Sequence, residues 1–128
     1  NHDKFFFLNN VSQEDNKYFL SESDLFVSAS QYDGISVSIL ESMAVGTPVL
    51  VSDIEPNREI IKSGFNGFLF KKDSSEDLVG IFRSYITQIN NFSHIRYNAR
   101  DTIERIADLD SNIDNFIHFI QSRFDIDI

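Results

Sequence analysis

Short apolar runs alternate with helix-like segments along most of this chain, and no other feature constrains its fold as strongly. Residues 5–8, 25–28, 48–52 and 67–70 are each apolar and strand-sized. Each is followed by a stretch with helix punctuation, so the pattern predicts βα units around a parallel sheet. The connections are long enough for right-handed crossovers, which place helices on both faces of a single sheet. The expected fold class is therefore α/β.

The punctuation sets approximate boundaries. Ser12 is an N-cap hydroxyl with Glu14 and Asp15 behind it, opening a helix to about Glu22. A second helix spans about 36–45 and stops at Gly46, where a positive φ is expected. Pro56 suits the first position of a helix ending near Gly64. Asp73, Ser74, Ser75 and Glu76 open another, running through Tyr85 to about Ile89. Beyond Asn90 two further helices are predicted, near 95–106 and 112–124, with no further strand.

Composition narrows the functional classes. The 128 residues carry a formal net charge of -9, which argues against a broad nucleic-acid surface. A single nucleoside diphosphate is still compatible, because backbone amides at a helix start hold phosphate without a basic patch. There is no cysteine, which excludes disulfides, thiolate metal sites and a cysteine nucleophile. No apolar run approaches the roughly 20 residues that a membrane-spanning helix needs, and no signal peptide is visible. The chain starts at Asn1 rather than Met, so an excised fragment is expected.

In open parallel sheets, ligands bind at the carboxyl ends of the strands. The loops expected there are 9–10, 29–34, 53–55 and 71–73. The second of them runs through Asp33, Gly34, Ile35, Ser36 and Val37 into a helix that carries Ser38 and Glu41. Gly34 lets a ligand approach the backbone, and the unpaired amides of the following turn form an anion site. Asp33 stands at the mouth of that site and Glu41 about one and a half turns down the helix. Carboxylates suit sugar hydroxyls, because two acceptor oxygens can each take a proton. Taken alone, these residues favour a plainer account: Asp33-Gly34 is an ordinary turn dipeptide, and Ser38 and Glu41 have capping-box spacing.

The wider stretch reverses that balance. Residues 23–28, 33–41 and 42–53 resemble, in order and spacing, the C-terminal domain of glycosyltransferase family 4, a large family of retaining GT-B enzymes. The likeness continues through Glu59-Ile60-Ile61 and residues 64–70 to Asp77-Leu78, covering about 4–82. It implies a Rossmann-like parallel sheet, part of the C-terminal domain of a GT-B fold, followed by C-terminal helices. The expected organisation is one domain, with residues 1–90 the donor-binding portion and 91–128 helices packed on it.

The family signature is two glutamates separated by seven residues, the first near the transferred sugar and the second on the ribose. Glu41 matches the second; Asp33, one methylene shorter, stands in the place of the first and is the catalytic candidate. The resemblance also implies donor phosphates on the amides of Gly34, Ile35, Ser36 and Val37. It implies transfer of a sugar from a nucleoside-diphosphate sugar to a hydroxyl with retention, by a hexosyltransferase-type enzyme without cofactor or obligatory metal. The family's basic phosphate-binding residues and its N-terminal acceptor domain would lie upstream of Asn1, leaving this portion inactive alone. A saccharide or lipid-linked acceptor, bacterial polysaccharide biosynthesis, and a cytoplasmic protein at the inner face of the membrane are further expectations.

Other residues are set aside. His2, His94 and His118 lack metal-site spacing. Phe5, Phe6, Phe7, Phe65, Phe68 and Phe70 read as strand core, and Lys71-Lys72 as a solvated strand end. Glu59 reads as a first-turn helix acid, and Asp53 as a strand end without partner acids. P-loop, dinucleotide and hydrolase motifs are absent. Two rivals remain: a sugar-nucleotide epimerase of the same architecture, and a non-enzymatic α/β binding module.

Overall fold

A computed structural model of the chain describes residues 4–31, 34 and 36–124. Helix α1 (Gln13–Glu22) leads to strand β1 (Phe26–Ser28), α2 (Val37–Ala44), β2 (Val49–Ser52), α3 (Glu55–Ile60) and β3 (Phe68–Phe70). Helices α4 (Ser75–Thr87), α5 (Ser93–Ile106) and α6 (Leu109–Phe124) follow, with a 3-10 turn at Ile89–Asn91. The three strands form one parallel sheet in the order β1-β2-β3. Phe26 pairs with Val49 and Leu50 with Phe68.

Strand β2 is central, and all four of its residues are buried. A continuous apolar run is what a parallel strand covered on both faces requires. Its side chains alternate between two clusters. Val49 and Val51 pack with Ile39 and Met43 of α2, Ile61 and Ala99. Leu50 faces the other way, onto Phe68, Phe70, Tyr85 of α4 and Ile95. Helix α5 thus reaches both clusters. Tyr85 stacks on Phe92 at 5.4 Å and 11°, while Phe68 meets Tyr85 edge-on at 5.6 Å. The Tyr85 hydroxyl donates to the Asp24 carbonyl at 2.7 Å, tying α4 to the entrance of β1.

Local signals explain most boundaries. Ser12 caps α1, its Oγ accepting the Asp15 amide at 3.1 Å. Gly46 has φ 80 and follows α2 as anticipated, with its N–H donating to Met43 O at 3.0 Å. The cap of α4 is Ser74, whose Oγ accepts the Asp77 amide at 3.2 Å. The expected start at Asp73 is therefore one residue early, and Asp73 itself takes a left-handed φ of 62.

Two expectations are overturned. Residues 5–8 are not a buried strand: they join no ladder, and Phe7 is 94% exposed. A strand buried on both faces needs a hydrogen-bonded neighbour and helical cover, and apolar content alone supplies neither. The helix opened near Pro56 starts at Glu55 and ends at Ile60, not near Gly64. Asn66 ends it early, its Oδ1 accepting the Lys62 amide at 2.7 Å and its Nδ2 donating to Ile60 O at 2.9 Å. Glu59 consequently sits in the last turn of α3, so the first-turn dipole account of it fails. Phe65 is also outside the core, at 51% exposed. Among the described residues no helix is long and apolar enough to cross a membrane.

Candidate functional site

Because the strands are parallel, their carboxyl ends share one rim, and the loops leaving that rim are bonded to one another. Gln31 Nε2 donates to Asp73 Oδ1, and Ser52 Oγ donates to the Ser30 carbonyl. Asn57 Nδ2 donates to Ser52 O at 2.8 Å, and the Asp53 amide reaches Phe70 O at 2.8 Å. A groove of about 370 Å³ lies among these loops, lined by Ala29, Gln31, Ser52, Asp73 and Ser74. The Asp53 carboxylate is engaged by Arg58 Nε at 2.6 Å, so this strand-end acid has a structural partner.

Helix α2 starts from the same rim. Ser36 is its N-cap, extended at φ -69 and ψ 127, and its hydroxyl makes no capping bond. The Ser36 carbonyl accepts the Ile39 and Leu40 amides at 3.0 and 3.2 Å. The amides of Val37 and Ser38 therefore precede the helical ladder, the arrangement that gives a helix start its affinity for anions. Val37 is exposed, and among the described residues a Cβ placed on Gly34 would meet no atom within 4 Å. Asp33 and Ile35 lie outside the described residues.

Glu41 is the fifth residue of α2, roughly 6 Å along the axis from Val37 at 1.5 Å per residue. The capping-box account of it does not hold. Ser36 occupies the N-cap position, and Ser38 is the second helical residue, its carbonyl accepting Ser42 Oγ at 2.7 Å. The Glu41 carboxylate turns instead to the neighbouring helix, where Oε2 accepts Asn16 Nδ2 at 3.2 Å. Both side chains are partly buried, and with Gln13, Lys17, Leu20 and Val45 they line a groove of about 470 Å³ between α1 and α2. Thr47 Oγ1 donates to the Leu20 carbonyl and fixes the lower end of α1 against the turn after α2.

Residues 1–102 match the family model described as glycosyl transferases group 1. This chain belongs to that family. Putative glycosyltransferase EpsD of Bacillus subtilis is 32% identical over 96 residues, which are 68% of this chain and 25% of EpsD. The UDP-Gal:alpha-D-GlcNAc-diphosphoundecaprenol alpha-1,3-galactosyltransferase of Escherichia coli is 35% identical over 60 residues, covering 47% of this chain and 16% of that enzyme. Among solved structures, Anabaena HepE in complex with UDP superimposes with TM-score 0.72 at 23% identity, over 81% of this chain and 29% of HepE. Sucrose-phosphate synthase from Thermosynechococcus elongatus gives 0.81 at 17%, over 95% and 31%. The chain thus spans a third or less of each of these relatives, and the GT-B architecture expected from the sequence is shown.

Within this glycosyltransferase domain the structure brings Gly34, Ser36, Val37 and Glu41 to one helix start. Asn16 was not anticipated. It stands 25 residues from Glu41, so no local motif could have joined them. One signal was available: Asn16 precedes the buried Leu20 by four residues, which puts both on the same face of α1. His94 faces the carbonyls of Asn91 and Gly64 at 3.1 and 3.4 Å, the surroundings of a surface histidine.

Proposed function

We propose that this domain binds the donor in a retaining glycosyltransferase that transfers a hexosyl group from a nucleoside-diphosphate sugar to a hydroxyl. One observation carries the reading: the Glu41 carboxylate does not cap its own helix but is held, partly buried, within a turn and a half of an open helix start. A diphosphate on the amides of residues 34–37 and a ribose on Glu41 fit that spacing. Asp33 is assigned to the transferred sugar. Solved neighbours that hold UDP and UDP-glucose support a donor of this class. Membership of the family favours the transferase over an epimerase or a binding module.

In the reaction, the bond from the anomeric carbon to the diphosphate oxygen breaks and a bond to the acceptor oxygen forms. Negative charge gathers on the departing diphosphate, which takes up the proton released by the acceptor hydroxyl. Backbone amides already aimed at that position stabilise the charge without reorganising, the electrostatic contribution expected of a helix start. Acceptor binding is assigned to a further domain, and a saccharide or lipid-linked acceptor at the cytoplasmic membrane face fits the reading.

Calorimetry on the intact protein tests the assignment. Glu41→Ala should weaken nucleoside diphosphates generally by about 2–5 kcal/mol, the loss of two bonds to a charged acceptor discounted for water. Asp33→Ala should weaken intact nucleotide sugar more than free diphosphate. Unchanged dissociation constants in Glu41→Ala, with a lower melting temperature, would make Glu41 a purely structural residue.

A further inference from the structure

The bond between Asn16 and Glu41 is a polar tie between α1 and α2, and it falls on the residue assigned to the ribose. Its direction is fixed. An ionised carboxylate only accepts, so the Asn16 amide must present its NH₂ to Glu41. A carboxylate has about four lone-pair sites, and Asn16 occupies one on Oε2. Counting donors among the described residues, acceptor capacity for two ribose hydroxyls remains after that bond is made.

From this geometry we infer that Asn16 is a positioning residue for donor binding: it holds the Glu41 carboxylate in one orientation before the ribose arrives. The inference rests on the donor-site reading of Glu41. A glutamate side chain has three rotatable bonds, and fixing it on ligand binding costs affinity. Asn16 fixes it in advance. It can do so because α1 packs against α2, with the fourth residue of one beside the fifth of the other. The Thr47 bond to the Leu20 carbonyl anchors α1 four residues beyond Asn16, and the Ser12 cap keeps its first turn helical. Asn16 also lines the groove that Glu41 faces, so the ligand would meet the pair together.

The test uses Asn16→Leu, which keeps the side-chain size, improves helix propensity and removes the donor. Affinity is measured by calorimetry on the intact protein for UDP, GDP and ADP. The tightest of these is then compared with its 2′,3′-dideoxy analogue, which lacks the ribose hydroxyls. Asn16→Leu should weaken the normal diphosphate roughly 3- to 10-fold, the cost of immobilising one rotamer-rich side chain. It should leave the dideoxy analogue unchanged, and add nothing once Glu41 is already Ala. A purely structural tie would weaken both ligands alike, and that result overturns the inference. If Glu41→Ala weakens binding but Asn16→Leu does not, the inference fails and the ribose assignment stands. If Glu41→Ala has no effect, or the wild type binds none of the three, both fall together.

Discussion

Gly67→Ala adds one methyl group where the sheet has no room for it. Gly67 is buried immediately before β3, and a Cβ there would lie 2.9 Å from Val49 Cγ2, 3.1 Å from Ile61 Cγ2 and 3.3 Å from the Val49 carbonyl. Val49 and Ile61 are 0% and 2% exposed in the same cluster. A β-branched side chain is stiff about χ1, and a fully buried one has no free space to swing into. The carbonyl belongs to β2 and cannot retreat without disturbing the pairing of the central strand. Relief must come from parting β2 and β3, so the substitution should cost about 1–3 kcal/mol, the range for overpacking a filled core. Urea denaturation followed by far-UV circular dichroism measures it. Val49→Ala removes the nearest contact, so the double variant should lose about 1 kcal/mol less than the two single losses summed. A loss below about 0.5 kcal/mol in Gly67→Ala, or strict additivity with Val49→Ala, would show that the strands yield easily and that the packing argument is wrong.

Gly46→Ala should cost about 1 kcal/mol for a different reason: its φ is 80, while an added Cβ would meet only Arg96 O at an ordinary 3.7 Å. Because the cost is conformational, Gly46→Asn should recover part of it in the same denaturation assay; equal losses for both would refute that origin. Tyr85 carries a raised pKa, chiefly from burial and partly opposed by the Arg96 guanidinium. The folded state therefore keeps the phenolic proton to higher pH than the unfolded chain, and this stabilisation is complete below about 10 and lost as pH rises through the folded value. Tyr85→Phe should cost about 1 kcal/mol at neutral pH through the lost bond to Asp24, yet decline less steeply than wild type above pH 10. Parallel declines would mean that Tyr85 is not the group responsible.

Where the sequence was legible, the cause of the structure lay within a few residues. Ser12 and Gly46 terminate helices by bonds and dihedrals that involve only their own turn. Strand β2 was legible because the short apolar run 49–51, β-branched at Val49 and Val51 and set between Gly46 and Asp53, suits a strand covered on both faces. The failures have causes outside the segment. Residues 5–8 have apolar content suited to a strand, but a ladder needs a second strand and the described residues offer none beside them. Helix α3 carries no stop signal of its own before Gly64; the side chain of Asn66 folds back to take over its last backbone groups. Asp73 and Glu76 have capping-box spacing without the hydroxyl, whereas Ser74 has the hydroxyl at the right distance from the third amide.

The proposed donor site shows the same division. Two roles for Glu41 could not be separated by spacing, because Ser38-x-x-Glu41 is at once a capping box and part of an acid-x7-Glu signature. A capping glutamate belongs at the third helical position, reaching back to the N-cap amide. That reading required Ser38 to be the N-cap and α2 to begin at Ile39, but it begins at Val37 with Ser36 as cap, which moves Glu41 to the fifth position, beyond the reach of that bond. A shift of two residues in a helix start thus removes the structural role nearest in sequence. What replaces it is a bond to Asn16 on another helix, and a partly buried carboxylate with acceptor sites left over. Among the described residues Asn16 is the donor to Glu41, and both line the groove between α1 and α2, so the proposed ribose contact and the structural bond can be made by one carboxylate.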